Sequence, residues 1–281
     1  MESKRKFSIS TFALIHVPLK EAVKRLVEEG WKGIELMCED GHREILAWSS
    51  EELEWLKTFG IQNDVRWTLH APIHGINPCA ESAVRIEESK KLLLEAGAIA
   101  EFLQCSYVVL HAGLYEKQDN HGIEALQDET AALQRCQLFM QDIIKETVSD
   151  KFVFALENVP PYPGLLGIEI GFIAQTVEAV NHPRLKVVFD VAHAHLLGEG
   201  KCLLGLEQVL PHVIGLHIND NCGDQDNHLA VEDGNIPFPA IVTLLETHQF
   251  SGHWVMETCR VEYADSSVKR LQQMGTASLW S

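Results

Sequence analysis

The chain has 281 residues, 46% hydrophobic and 22% charged, enough apolar material for a full core and too much for a disordered protein. Its formal charge of −17 at pH 7 argues against an extensive nucleic-acid surface, because phosphate contacts need clustered Lys and Arg. The basic start "MESKRKFSIS" leads into no apolar stretch of signal or membrane-spanning length, and the seven cysteines form no CxxC pair; a cytoplasmic protein without a membrane partner is expected.

In chain order, short apolar runs predict strands at 7–11 (FSIST), 33–38 (GIELMC), 66–71 (RWTLHA), 107–113 (YVVLHAG), 152–158 (FVFALEN), 185–190 (LKVVFD), 213–218 (VIGLHI) and 253–258 (HWVMET). Between and after them run helical stretches at 19–29, 49–59, 80–102, 123–148, 168–180, 203–210, 238–247 and 263–274. In the third of these, Ile86, Leu93, Ala96 and Ile99 mark one buried stripe. Continuous apolar strands are buried on both faces, and their alternation with helices implies a parallel sheet. Eight such units without a Pro- or Gly-rich linker predict a single α/β domain over 1–281, a (β/α)8 TIM barrel with its site at the C-terminal strand ends. The rival is an open doubly wound sheet, which would carry a glycine-rich turn after its first strand; "FSISTFALIHVP" has none.

Ionisable residues gather where a barrel would place its mouth. The second strand ends near Glu35, the third at His70, the fourth at His111, the fifth at Glu157, and the sixth at Asp190 with His193 just beyond. The seventh ends near His217, followed by Asp226 and His228 in "LHINDNCGDQDNHL", and the eighth at Glu257. A buried carboxylate or imidazole is costly unless paired or ligated, so such a set points to a metal site. Mixed imidazole and carboxylate donors suit Zn²⁺, Mn²⁺, Co²⁺ or Fe²⁺ better than Ca²⁺ or Mg²⁺, with Zn²⁺ or Mn²⁺ expected. Singly, each residue also has a structural reading: Glu35 as an acceptor or a substrate contact, Asp220 and Asp224 as solvated or supporting loop residues, His195 as packing, His74 as surface. Arg43, Lys117, Lys201 and Arg260 are the basic residues expected near the mouth.

On "GIEL", "FDVAHAH", "LHINDN", "DNHLAVEDGNIPF" and "METC", the chain resembles the xylose isomerase-like TIM-barrel superfamily, which holds sugar-phosphate isomerase/epimerase-like proteins and the endonuclease IV-like AP endonuclease 2 family. The resemblance to the isomerase branch implies one divalent metal on Glu157, Asp190, His217 and Glu257. Glu157 and Glu257 would shuttle protons around a metal-stabilised ene-diolate of a sugar or sugar phosphate, and His193 would face the substrate. The resemblance to endonuclease IV implies up to three zinc ions, adding His70, His111, His193, Asp226 and His228, with Glu157 shared between two of them. Against the nuclease stand the charge, the loop "NVPPYPGLLG" after Glu157, and "HINDNCG", which supplies no basic residue. Ketose epimerases place an Arg in that last loop, so the chain departs from both branches. The expectation is a metal-dependent sugar isomerase or epimerase with one to three metals, Glu35 and Arg260 joining His193 at the substrate, and room for a homo-oligomer. The alternatives are a multinuclear phosphoesterase and a non-catalytic binding protein.

Overall fold

Strand residues of this chain alternate between two environments, and that alternation both closes the fold and aims the site. The structure, a computed structural model, describes residues 4–115, 123–276 and 279–280. Eight strands, β1 (Phe7–Ser10), β2 (Gly33–Met37), β3 (Arg66–His70), β4 (Tyr107–His111), β5 (Val153–Glu157), β6 (Leu185–Asp190), β7 (Val213–Ile218) and β8 (His253–Met256), pair in sequence order into a closed barrel. Every pairing is parallel, including β8 back onto β1. The expected TIM barrel is what the chain forms.

The helices are α1 (Leu19–Glu28), α2 (Ser50–Asn63), α3 (Ala83–Leu103), α4 (Ile123–Glu146), α5 (Ile170–Val180), α6 (Val191–His195), α7 (Lys201–Val209), α8 (Phe238–Thr247) and α9 (Val261–Met274). α2 starts at a capping box, in which Ser49 and Glu52 satisfy each other's backbone N–H. α6 was not anticipated; it is one short turn started by Asp190, whose carboxylate accepts from His193 N at 2.7 Å.

Successive strand side chains point to opposite faces. Trp67, Leu69, Phe154, Leu156, Phe189 and Trp254 face outward and join the core shared with the helices. Tyr107, Val109, Ala155 and Val188 face inward and form a separate apolar plug. His111, Glu157 and Asp190 stand two residues beyond Val109, Ala155 and Val188, so the same parity that fills the barrel interior carries these polar groups inward at its mouth. Gly33 is required where β1 meets β2, because a Cβ there would lie 2.2 Å from Ser8 Oγ. All seven cysteines are free thiols, five of them buried. Among the described residues no helix is long and apolar enough to cross a membrane.

Candidate active site

The site is organised around Glu157, at the end of β5. Its Oε2 lies 3.1 Å from both His70 Nε2 and His111 Nε2, and its Oε1 lies 2.7 Å from His217 Nδ1. Burial alone would raise this carboxyl, but His217 and the hydrogen bonds from His111, His217 and His70 hold it well below the usual range. Register places the partners: His111 is level with Glu157, and Asp190 is level with His217. Glu257, one residue past β8, brings Oε2 within 3.5 Å of His217 Nδ1. Burial pushes its carboxyl up to about 7, with Glu157 adding repulsion and His217 opposing.

A second group lies beside the first. Asp226 Oδ2 is 3.2 Å from His193 Nε2 and 3.3 Å from His228 Nε2. Burial opposes protonation of both rings, yet their carboxylate neighbours raise His193 to about 10 and His228 to about 9. His228 adopts φ 48°, a left-handed conformation that turns its ring over Phe12 at a centroid distance of 4.7 Å.

Three donor groups result: His70, His111 and Glu157; Glu157, Asp190, His217 and Glu257; His193, Asp226 and His228. In each, the ligand atoms lie within 4.8 Å of one another. Their hydrogen bonding fits cations. Nδ1 of His70, His193 and His228 lies 2.8, 2.8 and 2.6 Å from the carbonyls of Ala71, Asn158 and Glu257, contacts that an N–H must make. That leaves each Nε2 lone pair aimed at a carboxylate oxygen, and two such acceptors need a proton or a metal between them. Asp226 Oδ1 is buried with no hydrogen-bond partner among the described residues, as an oxygen reserved for a ligand would be. All nine residues expected as ligands are therefore brought together, with Glu157 common to two groups.

Two expected substrate contacts are placed elsewhere. Glu35 is fully buried beneath the mouth rather than lining it: its Oε1 lies 2.9 Å from His217 Nε2, and its Oε2 accepts from Thr68 Oγ1 at 3.1 Å. Its position two residues before the end of β2 sets it one layer down. Arg260 precedes α9 with its guanidinium 5.7 Å from the Tyr263 ring, and it does not line the cavity. His193, by contrast, does line it. Lys117 lies outside the described residues. His74 stands at the rim, where its Nδ1 is 3.0 Å from Glu39 Oε1.

Three residues support the ligands: Asn158 and Asn219, which were not foreseen, and Asp220, for which the supporting reading holds over the solvated one. Asn158 clamps Asp190 through both backbone groups at 2.9 Å, and Asn219 Nδ2 donates to Asp190 Oδ2 at 3.2 Å. Asp220 is not a solvated loop residue. It is completely buried, and it accepts from the backbone N–H of Asn221, Glu232, Gly234 and Ile236 at 2.8–3.2 Å. It also pairs with Leu229 in both directions, which folds back the loop that carries Asp226 and His228. Asn158 directly after Glu157 in "LENVP", and Asn219 and Asp220 two and three residues after His217 in "LHIND", were the available signal.

Above these groups lies a cavity of about 290 Å³. Glu157, Glu257, His70, His111, His193 and His228 reach its floor, while Phe12, Ile15, Ile73, Pro160, Tyr162 and Leu165 form its walls.

The profile of a protein family described as "Xylose isomerase-like TIM barrel" matches residues 23–275. Over 276 residues the chain is 25% identical to the uncharacterized protein MJ1311 of Methanocaldococcus jannaschii, covering 95% of this chain and 88% of that one. Among solved structures, a D-tagatose 3-epimerase-like protein superimposes with a TM-score of 0.84 at 22% identity, covering 96% of both chains. A zinc-bound IOLI protein gives 0.76 at 18% identity, covering 97% of this chain and 96% of that one. A D-psicose 3-epimerase solved with D-fructose gives 0.73 at 15% identity, over 98% and 94%.

Proposed function

The chain belongs to the xylose isomerase-like TIM-barrel family, and on that premise we propose that it is a divalent-metal-dependent isomerase or epimerase of a sugar-like hydroxycarbonyl compound. The observation that carries this reading is the group Glu157, Asp190, His217 and Glu257, in which two glutamates reach one cavity floor with their carboxyl groups shifted in opposite directions. Glu157, bonded by three imidazoles, is held ionised, whereas Glu257 is raised to about 7. Two carboxyl groups pushed apart in this way form a base and an acid at working pH. Glu157 takes a proton from a carbon beside the carbonyl, Glu257 delivers one from its carboxyl oxygen, and His193 on the floor orients a substrate hydroxyl. A divalent cation, Zn²⁺ or Mn²⁺ by donor chemistry, held on these four residues would supply Lewis acidity toward the carbonyl oxygen. Likeness of fold to sugar epimerases supports the substrate class.

The test is proton exchange. Loaded with Mn²⁺ or Zn²⁺, the protein should wash deuterium from D2O into the carbon beside the carbonyl of a ketose such as D-fructose, followed by NMR. Glu157→Gln and Glu257→Gln should each slow that exchange by at least ~100-fold with the far-UV spectrum intact. A panel of four- to six-carbon ketoses and aldoses that shows no exchange sinks the reading.

A second reading is favoured by one observation: the two further donor groups beside the first. Three cations clustered around one water is an arrangement for phosphoester hydrolysis. A metal content of two or three per chain, with release of p-nitrophenol from bis(p-nitrophenyl) phosphate, would move the assignment there.

A further inference from the structure

The walls of the cavity differ in kind from its floor. Among the described residues lining it there is no Lys or Arg. The carboxylates of Glu39, Asp40, Asp226, Glu157 and Glu257 all border the space. Arg43, one of the cations expected near the mouth, is committed elsewhere: its Nη1 donates to His74 O at 2.7 Å and lies 3.8 Å from Glu39 Oε1. Arg260 is turned over Tyr263. Facing the floor are Phe12, Ile15, Ile73, Pro160, Tyr162 and Leu165, two aromatic rings and four aliphatic groups. A phosphate monoester carries between one and two negative charges at pH 7, and its oxygens need N–H donors or cations in a fixed fork. The apolar walls offer neither, and the Nε2 atoms of His70, His111, His193 and His228 already face the carboxylates of Glu157 and Asp226. The C–H face of a sugar ring or carbon chain is, in contrast, suited to aromatic and aliphatic contact.

Resting on the isomerase or epimerase reading, we infer that the substrate is an uncharged, unphosphorylated sugar or polyol derivative. It places its oxygens on the carboxylate–imidazole floor and its C–H face against the Phe12–Tyr162 wall. The chain's charge of −17 acts in the same direction, since long-range repulsion slows approach of an anionic substrate.

Titration calorimetry of the Mn²⁺-loaded full-length protein with D-fructose and with D-fructose 6-phosphate tests this. The free sugar should bind at least tenfold more tightly. Ile73→Lys, which puts a cation on the wall without touching the floor, should narrow or reverse that ratio. Binding of the phosphorylated sugar as tight as, or tighter than, the free one overturns the inference while leaving the isomerase reading in place. If neither sugar binds and no other ketose does, the isomerase reading falls and takes the inference with it.

Discussion

Asp220→Asn isolates the architecture of the seventh-strand loop. In the native chain Oδ1 accepts from Asn221 N at 2.9 Å and Ile236 N at 3.2 Å, and Oδ2 accepts from Glu232 N at 2.8 Å and Gly234 N at 3.0 Å. Asparagine keeps one of these oxygens. Whichever way its amide turns, two buried backbone N–H groups then face an NH2 donor. Hydrogen bonds to a charged acceptor contribute about 1.5–3 kcal/mol each, so losing two costs about 3–6 kcal/mol. Part of that is offset, because burial raises the Asp220 carboxyl and the neutral amide avoids that desolvation. A net loss of about 3 kcal/mol is expected, roughly 6–12 °C in melting temperature for a chain of this size.

The site should respond as well, because Asp220 holds the loop that delivers Asp226 and His228. Zinc affinity at the His193–Asp226–His228 group should fall, read by competition with a chromophoric chelator, while the Glu157-centred groups keep theirs. A variant melting within about 2 °C of the wild type, with unchanged zinc affinity, would refute the view that this carboxylate organises the loop.

Other perturbations bear on the same framework. In metal-free protein, His193 and His228 are raised to about 10 and 9, so the stability they contribute is complete below the unfolded value near 6.5 and is lost as pH climbs through 9 to 10. Thermal melts in EDTA should fall across that window, and a flat or rising profile contradicts the pairing with Asp226. Zinc affinity should run the other way, rising with pH as the imidazoles release protons, which chelator competition at pH 6 and 8 will show. Saturating zinc should raise the melting temperature of the EDTA-treated protein, since about 2.7 kcal/mol follows at a hundredfold excess over Kd; no shift would mean that the donor groups do not bind it. Gly33→Ala should destabilise by about 1–3 kcal/mol from overpacking in urea unfolding, because its Cβ has Ser8 Oγ at 2.2 Å and Phe7 O at 2.9 Å.

The barrel and its ligands were legible for one physical reason. Four of the strands are apolar runs that end in a polar residue of inward parity, so "TLH", "VLH", "ALE" and "VFD" announce both the strand and the group that it delivers. Asp226 and His228 lie on a loop, where no such periodicity exists, and it was the density of His and Asp in "LHINDNCGDQDNHL" that drew attention to them, the family likeness adding their grouping with His193. What escaped was depth. Glu35 has the parity of a mouth residue, but it sits two residues before the end of β2 and so lies under His217 instead of beside a substrate. For Asp220 the solvated reading stood beside the supporting one, because an Asp among Asn and Gly in a loop has the composition of a solvated turn. Its burial depends on backbone amides up to sixteen residues away, which local pattern does not encode. Arg260 was judged by closeness in sequence to β8, and its direction is set instead by contact with Tyr263.

Charge links the count of metals to the kind of substrate. Five carboxylates, from Glu35, Glu157, Asp190, Asp226 and Glu257, are buried in or beside the three donor groups. One divalent cation, with His193 and His228 still protonated, brings four positive charges against at most five negative ones, so the floor offers an anionic substrate no net attraction. Three divalent cations would bring six positive charges against at most five negative ones and turn the floor into an anion site, with field lines focused by the same low-dielectric walls. The walls favour the uncharged sugar while one metal is bound, and three metals on the floor would override that preference. A site tuned for an uncharged sugar should hold its second and third metals weakly enough that they are absent at turnover, whereas a phosphoesterase needs them bound. Metal content and preference between free and phosphorylated sugar should change together. A protein that carried three tightly held metals and still preferred the uncharged sugar would break this electrostatic link.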